Sequence, residues 1–191
     1  NGQMWIGTTT NGAYRLQLDK NELTHPILKG NITSIYQDSE GELWIGSWEE
    51  GLHHVKTDGT IEIFEYDAKN PYSISSNFVR ACCEDNLGNI WIGTFNGLNR
   101  YDKSTGLFQN HTASDAQSDG LTHSSIWCIV KDNQGTLWLG TYFGGVNYFN
   151  PEYEIYSRYM YSPIEKKGLS NPVVGRTIED KDGNLWIGTE G

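Results

Sequence analysis

Histidines, cysteines and carboxylates are the groups through which this 191-residue chain could do acid–base, thiol or metal chemistry, and their spacing argues against most of it. His53 and His54 are adjacent, so on a strand they point to opposite faces and cannot ligate one ion. His25 and His111 have no partner at metal-ligand spacing, and no second histidine occupies a loop equivalent to that of His123. The three cysteines, Cys82, Cys83 and Cys128, are an odd count, and neighbours in sequence rarely bridge. They are expected to be small core residues rather than a disulfide framework. Asp38, Asp85, Asp132 and Asp180 recur, each with a glycine three residues later, as turn acids do. A calcium ion needs about six to eight converging oxygens, which one acid per unit does not supply. No Ser-His-Asp, Cys-His or phosphate-loop signature is present. Catalytic residues, metal and cofactor are therefore all assigned as none.

The elements that would position any site come from a repeat. Trp5, Trp44, Trp91, Trp138 and Trp186 each sit in one hexad, as in Gly41-Glu42-Leu43-Trp44-Ile45-Gly46 and Gly88-Asn89-Ile90-Trp91-Ile92-Gly93, at intervals of 39, 47, 47 and 48 residues. Helical repeats run at about 33–34 residues and propeller blades at about 40–50, because four short strands and their turns need that length. Within one unit, strand A is Ile32 to Gln37, Val79 to Glu84, Ile126 to Lys131 or Val174 to Glu179. An Asp-x-x-Gly hairpin leads into the hexad, which is strand B. Strand C follows the next glycine, as in Gly51 to Val55 and Gly97 to Tyr101, and strand D is Ile61 to Phe64, Leu107 to Asn110 or Glu154 to Ser157. Strand A is apolar on both faces, as expected of the innermost strand of a blade, and Trp127 inside one is expected to be core. The predicted fold is all-β: a β-propeller fragment of about four blades, each a four-stranded antiparallel sheet, in an open arc. Its units are 1–31 (partial), 32–78, 79–125, 126–173 and 174–191 (partial). Starting without a methionine and stopping inside a motif, the chain reads as an excerpt of a longer repeat protein.

The second residue beyond each hexad breaks the repetition: Thr9, Trp48, Phe95, Tyr142 and Glu190. It falls in the B–C loop, which in a meander emerges on the same face as the D–A loops carrying Asn77, His123 and Asn171. Aromatic platforms beside amide and hydroxyl donors suit a carbohydrate, whose C–H faces stack and whose hydroxyls bond. Trp48, Phe95, Tyr142, Asn77, His123 and Asn171 are therefore the candidate ligand-binding residues. Packing against another domain is the alternative for the same aromatics.

Composition narrows the partners. Charged residues at 20% and hydrophobic residues at 37% place the chain among globular proteins. A net charge of −10 leaves no basic stripe for phosphates, so neither nucleic acid nor an anionic membrane surface is expected as a partner. An arc with two open ends predicts contact with neighbouring blades or domains of the same protein, or with a second copy in a homodimer.

The run Asp85-Asn86-Leu87-Gly88-Asn89-Ile90-Trp91-Ile92-Gly93-Thr94, followed by Asn96-Gly97-Leu98, resembles the two-component regulator propeller repeat. The lead-ins Leu169-Ser170-Asn171-Pro172, Leu121-Thr122-His123 and Ile74-Ser75-Ser76 resemble it too. The resemblance implies the periplasmic sensor region of a Bacteroidetes hybrid histidine kinase that responds to polysaccharide, with the kinase outside this chain. The expected function is thus sensing, with an oligosaccharide as ligand. A scaffold for dimerisation or interdomain contact is the alternative, and a lyase similar to the streptogramin-degrading propellers is a third.

Overall fold

Turn chemistry sets the repeating unit. In a computed structural model of the chain, Asp38 Oδ1 accepts the amides of Glu40 and Glu42, and Asp85 Oδ1 accepts those of Leu87 and Asn89. The glycine N–H closes each turn onto the aspartate carbonyl, with Gly41 and Gly88 at φ 84° and 82°, a region that disfavours any other residue. The structure describes residues 2–24, 26–113, 120–153, 155–163 and 168–190; His25 and Glu154 lie outside the described residues.

Five antiparallel sheets follow one another along the chain. The first contains β1 (Gln3–Gly7), β2 (Ala13–Gln17) and the short β3 (Glu22–Leu23). The second has β4 (Ile32–Gln37), β5 (Leu43–Ser47), β6 (Leu52–Val55) and β7 (Ile61–Phe64). The third has β8 (Val79–Glu84), β9 (Ile90–Thr94), β10 (Gly97–Asp102) and β11 (Leu107–His111). The fourth has β12 (Ile126–Lys131), β13 (Leu137–Thr141), β14 (Val146–Asn150) and β15 (Ile155–Tyr159). The last pairs β16 (Val174–Glu179) with β17 (Leu185–Thr189). Each strand bonds its neighbour in sequence, so every sheet is a meander. Strands β4, β8, β12 and β16 pack side by side, which makes them the inner strands of successive blades. No α-helix occurs among the described residues, and the architecture is the propeller arc read from the repeat.

The core is a series of seams between blades. Trp44 and Leu52 of the second sheet pack against Val79, Cys82, Ile92 and Tyr101 of the third. Trp91 and Leu98 of the third pack against Ile126, Ile129, Leu139 and Phe149 of the fourth. Leu43 and Ile45 face the other way, onto Ile32 and Ala13. The hexad glycine exists for this seam: a Cβ on Gly46 would lie 2.7 Å from Cγ1 of Val79 in the next blade, and one on Gly140 would lie 2.7 Å from Cγ1 of Val174. All three cysteines are free and buried.

One irregularity recurs. The A–B register slips at the second residue of each inner strand: between Ile32 and Ser34, Val79 and Ala81, Ile126 and Cys128, and Val174 and Arg176. Such a bulge leaves one residue unpaired and re-aims its side chain. Here the re-aimed residues are Thr33, Arg80, Trp127 and Gly175. The expectation that Trp127 is core therefore fails: the ring is only half-buried, because the bulge turns it out of the seam.

Candidate functional site

The B–C and D–A loops lie together at one end of the blades. The amides of Trp48, Phe95, Tyr142 and Glu190 donate to the carbonyls of Asn31, Phe78, Ser125 and Val173, each in the segment leading into an inner strand. The loop holding each variable residue is thus pinned while its side chain is left to differ.

Three of the candidate aromatics join into one band across three blades. Phe95, half exposed at 50%, lies 6.1 Å from Phe78, which meets the Trp48 ring edge-on at 5.5 Å. The guanidinium carbon of Arg80 lies 4.4 Å from the Trp48 centroid and 4.4 Å from that of Trp127. Trp127 stacks on Tyr142 at 5.1 Å, Tyr142 meets Phe143 at 4.3 Å, and Phe143 lies 6.1 Å from the His123 ring. Arg80 and Trp127, which link the two halves of the band, did not emerge from the hexad comparison. The signal for them was available, since the second residue of strand A changes from Thr33 through Arg80 and Trp127 to Gly175 while the first stays β-branched, as Ile32, Val79, Ile126 and Val174.

The polar candidates are held by the loops themselves. Asn77 Oδ1 accepts the Tyr66 amide, Asn171 Oδ1 the Val173 amide, and His123 Nδ1 the Ser125 amide. An acceptor role at Nδ1 leaves the neutral His123 ring its proton on Nε2. Among the described residues, neither amide nitrogen nor that Nε2 has a hydrogen-bond partner. His123 belongs to the aromatic band, Asn77 precedes Phe78 in it, and Asn171 stands apart on the lead-in to the last sheet.

Between the inner strands this face opens into a cavity of about 620 Å³, lined among others by Thr33, Trp48, Arg80, Trp127 and Arg176. A second hollow of about 340 Å³ continues along the inner strands past Ser34, Tyr36, Cys82 and Cys128, and shares Arg80 and Arg176. Burial pushes the Arg80 guanidinium below its ordinary value.

The opposite end of the blades is cross-linked. Lys103 Nζ lies 3.0 Å from Asp38 and 3.2 Å from Glu40, and Ser39 donates through both N–H and Oγ–H to Glu84 of the next blade. Asp38, Glu40 and Glu42 form an acidic cluster, but the Lys103 ammonium already pairs with two of its three carboxylates. His54 Nε2 meets Glu42 at 2.6 Å while its ring stacks on Trp44, and His53 faces away, where burial pushes its pKa down.

Comparison with known proteins agrees with the fold. Residues 26–49, 73–96, 120–143 and 168–191 match the model of the two component regulator propeller. No curated protein matches the chain in sequence. The extracellular domain of a hybrid two component system of B. thetaiotaomicron superposes with a TM-score of 0.79 at 24% identity, over 99% of this chain and 24% of that one. A second such domain from the same organism gives 0.77 at 23%, over 99% and 25%. Virginiamycin B lyase from Staphylococcus aureus gives 0.71 at 14%, over 97% and 59%. The chain thus spans about a quarter of the length of the extracellular domains it matches.

Proposed function

The chain belongs to the two-component regulator propeller family, and from that premise we propose that it is a ligand-sensing segment of an extracytoplasmic, periplasmic sensor in a hybrid two-component system. The ligand is an oligosaccharide, and it is bound on the face carrying Trp48, Phe95 and Tyr142. The observation that carries this reading is the aromatic band running from Phe95 through Trp48, Arg80 and Trp127 to Tyr142. A fold that needed those rings for its own stability would repeat them in every blade, as it repeats the hexad tryptophans. Instead the same positions hold Thr9 and Glu190 at the ends of the chain.

A sensor propeller works by favouring one of two arrangements of the protein, so its ligand must contact groups whose placement differs between them. A face assembled from loops of three consecutive blades suits that role, because a ligand spanning it reports on the angle between blades. The lyase reading finds less support. Its chemistry needs a proton acceptor at the reacting centre, and His123 Nδ1 is already engaged by the Ser125 amide.

Calorimetric screening of the intact sensor against neutral and acidic oligosaccharides tests the proposal. Saturable binding that is lost on Trp48→Ala supports it. Failure of every glycan to bind, together with concentration-dependent self-association through this face, would favour the scaffold.

A further inference from the structure

The cavity at the inner end of the aromatic band contains a cation with no anion. Arg80 projects from the bulge of β8. Its guanidinium carbon lies 4.4 Å from the ring centroids of Trp48, from the blade before, and Trp127, from the blade after. It is half-buried, and its Nε is buried without a hydrogen-bond partner among the described residues. Trp127 Nε1, on the same cavity wall, is likewise buried without one. Arg176, exposed on the next inner strand, lines the cavity as well, and neither arginine has an ion pair among the described residues. This occurs in a chain of net charge −10, where unused carboxylates are plentiful.

We propose that this cavity is the subsite for an acidic group of the ligand, a carboxylate or a sulfate, with Arg80 as its forked donor and Arg176 as the second cation. The inference rests on the reading of this face as a ligand face and names the ligand class: an acidic oligosaccharide. The geometry supports it in three ways. Cation–π contact balances charge but gives the guanidinium N–H groups no acceptor, and the buried Arg80 Nε has none among the described residues. Those N–H groups form a fork that matches the two oxygens of a carboxylate or sulfate. The Nε at the base of that fork is buried, which strengthens a charge-assisted bond and makes an unpaired donor costly. Stacking between two indoles alone would account for Arg80, but it leaves the second arginine on the same cavity, Arg176, without a role.

The test is titration calorimetry on the intact sensor with three sets of probes of matched length: neutral, uronic-acid-containing and sulfated oligosaccharides. The expected result is binding of an acidic probe that weakens with added salt and falls at least ~10-fold in Arg80→Gln. Arg80→Lys should lose part of that affinity, because it keeps the charge without the fork, and Arg176→Gln should lose less. The uronic and sulfated arms tell a carboxylate from a sulfate. Binding confined to neutral probes, indifferent to Arg80→Gln, overturns this inference and leaves the glycan-sensing reading standing. So does a variant whose melting temperature falls while acidic probes keep their affinity, since Arg80 is then a packing residue. No binding of any probe overturns both.

Discussion

The indole N–H of Trp91 donates to Asp85 Oδ2 at 2.7 Å, so the acid that caps the A–B turn also holds the tryptophan that fills the seam between blades. The same bond joins Trp44 to Asp38, Trp138 to Asp132 and Trp186 to Asp180, always six residues apart. One carboxylate thus couples hairpin geometry to core packing, because its Oδ1 takes the turn amides and its Oδ2 takes the ring. Trp91→Ala should therefore destabilise the protein by roughly 3–5 kcal/mol, the range for truncating a buried aromatic. Trp91→Phe should cost less, roughly 1–3 kcal/mol, because Asp85 Oδ2 loses the indole and keeps only the Asn89 side-chain amide as donor. Urea denaturation monitored by circular dichroism checks both. A Trp91→Ala midpoint equal to wild type would show that the ring does not hold the seam.

These acids also set a pH dependence. The indole of Trp186 and the amide and side chain of Asn184 hold Asp180 down to about 2, from an ordinary value of 3.8. For Asp38, burial acts to raise the pKa, but hydrogen bonds from Trp44 and Lys103 outweigh it and the net direction is down. Acids with folded values below their unfolded values contribute stability that is present above the unfolded value and lost as pH falls through the folded one. The melting temperature should therefore drop between about pH 4 and about pH 2, and Asp38→Asn should flatten that drop. Thermal melts over this range are the measurement, and parallel wild-type and variant curves would count against the assignment.

The thiols should be silent. Burial pushes Cys82 up to about 12 and Cys83 up to about 11, and it raises Cys128 as well. Since the thiolate is the reactive form, a thiol reagent at neutral pH should label less than one cysteine per folded chain and all three after denaturation. Fast labelling of any of them in the native state would place it outside the seams.

Strand placement was legible in the sequence because the hexad and the Asp-x-x-Gly turn mark two edges of every blade. The candidate site was legible only in part. Trp48, Phe95 and Tyr142 stood out because they vary beside residues that do not. Trp127 was misjudged because period-two reasoning assigns a strand residue to one face or the other. A bulge removes its residue from that alternation, and an apolar strand with no clean pattern gives no sign of where the slip occurs. Arg80 was missed because only the positions beyond the hexad were compared from blade to blade, and not those of strand A. The Asp–Trp bond was missed because a turn cap already accounts for the acid.

Seam exposure predicts association. Trp44 is fully buried by the following blade, whereas Trp186, at the same hexad position in the last sheet, is 64% exposed. Ile178, its cross-strand partner, is exposed as well. The isolated 191-residue chain should self-associate through this surface, and replacing both residues by serine should shift it towards monomer. Sedimentation velocity across a wide concentration range decides the matter. A wild-type chain that stays monomeric throughout would mean that this patch is too small to drive contact.

The aromatic band makes a graded prediction for ligand binding. Trp48 touches both Phe78 and the Arg80 guanidinium, so its ring stands where the loop platform meets the cavity. Tyr142 reaches the cavity only through Trp127, and Phe95 only through Phe78 and Trp48. Alanine at Trp48 should cost roughly 1–3 kcal/mol of affinity, within the range of a binding hot spot, with Tyr142→Ala next and Phe95→Ala least. The loop amides at all three positions bond through the backbone, which substitution leaves intact, so melting temperatures should change little. Calorimetry on the intact sensor with the oligosaccharide selected by screening gives the three affinities. An order in which Phe95→Ala is the most damaging would move the ligand out along the loops, away from the axis. Wild-type affinity in all three would mean that the rings pack against another part of the protein, as the scaffold alternative requires.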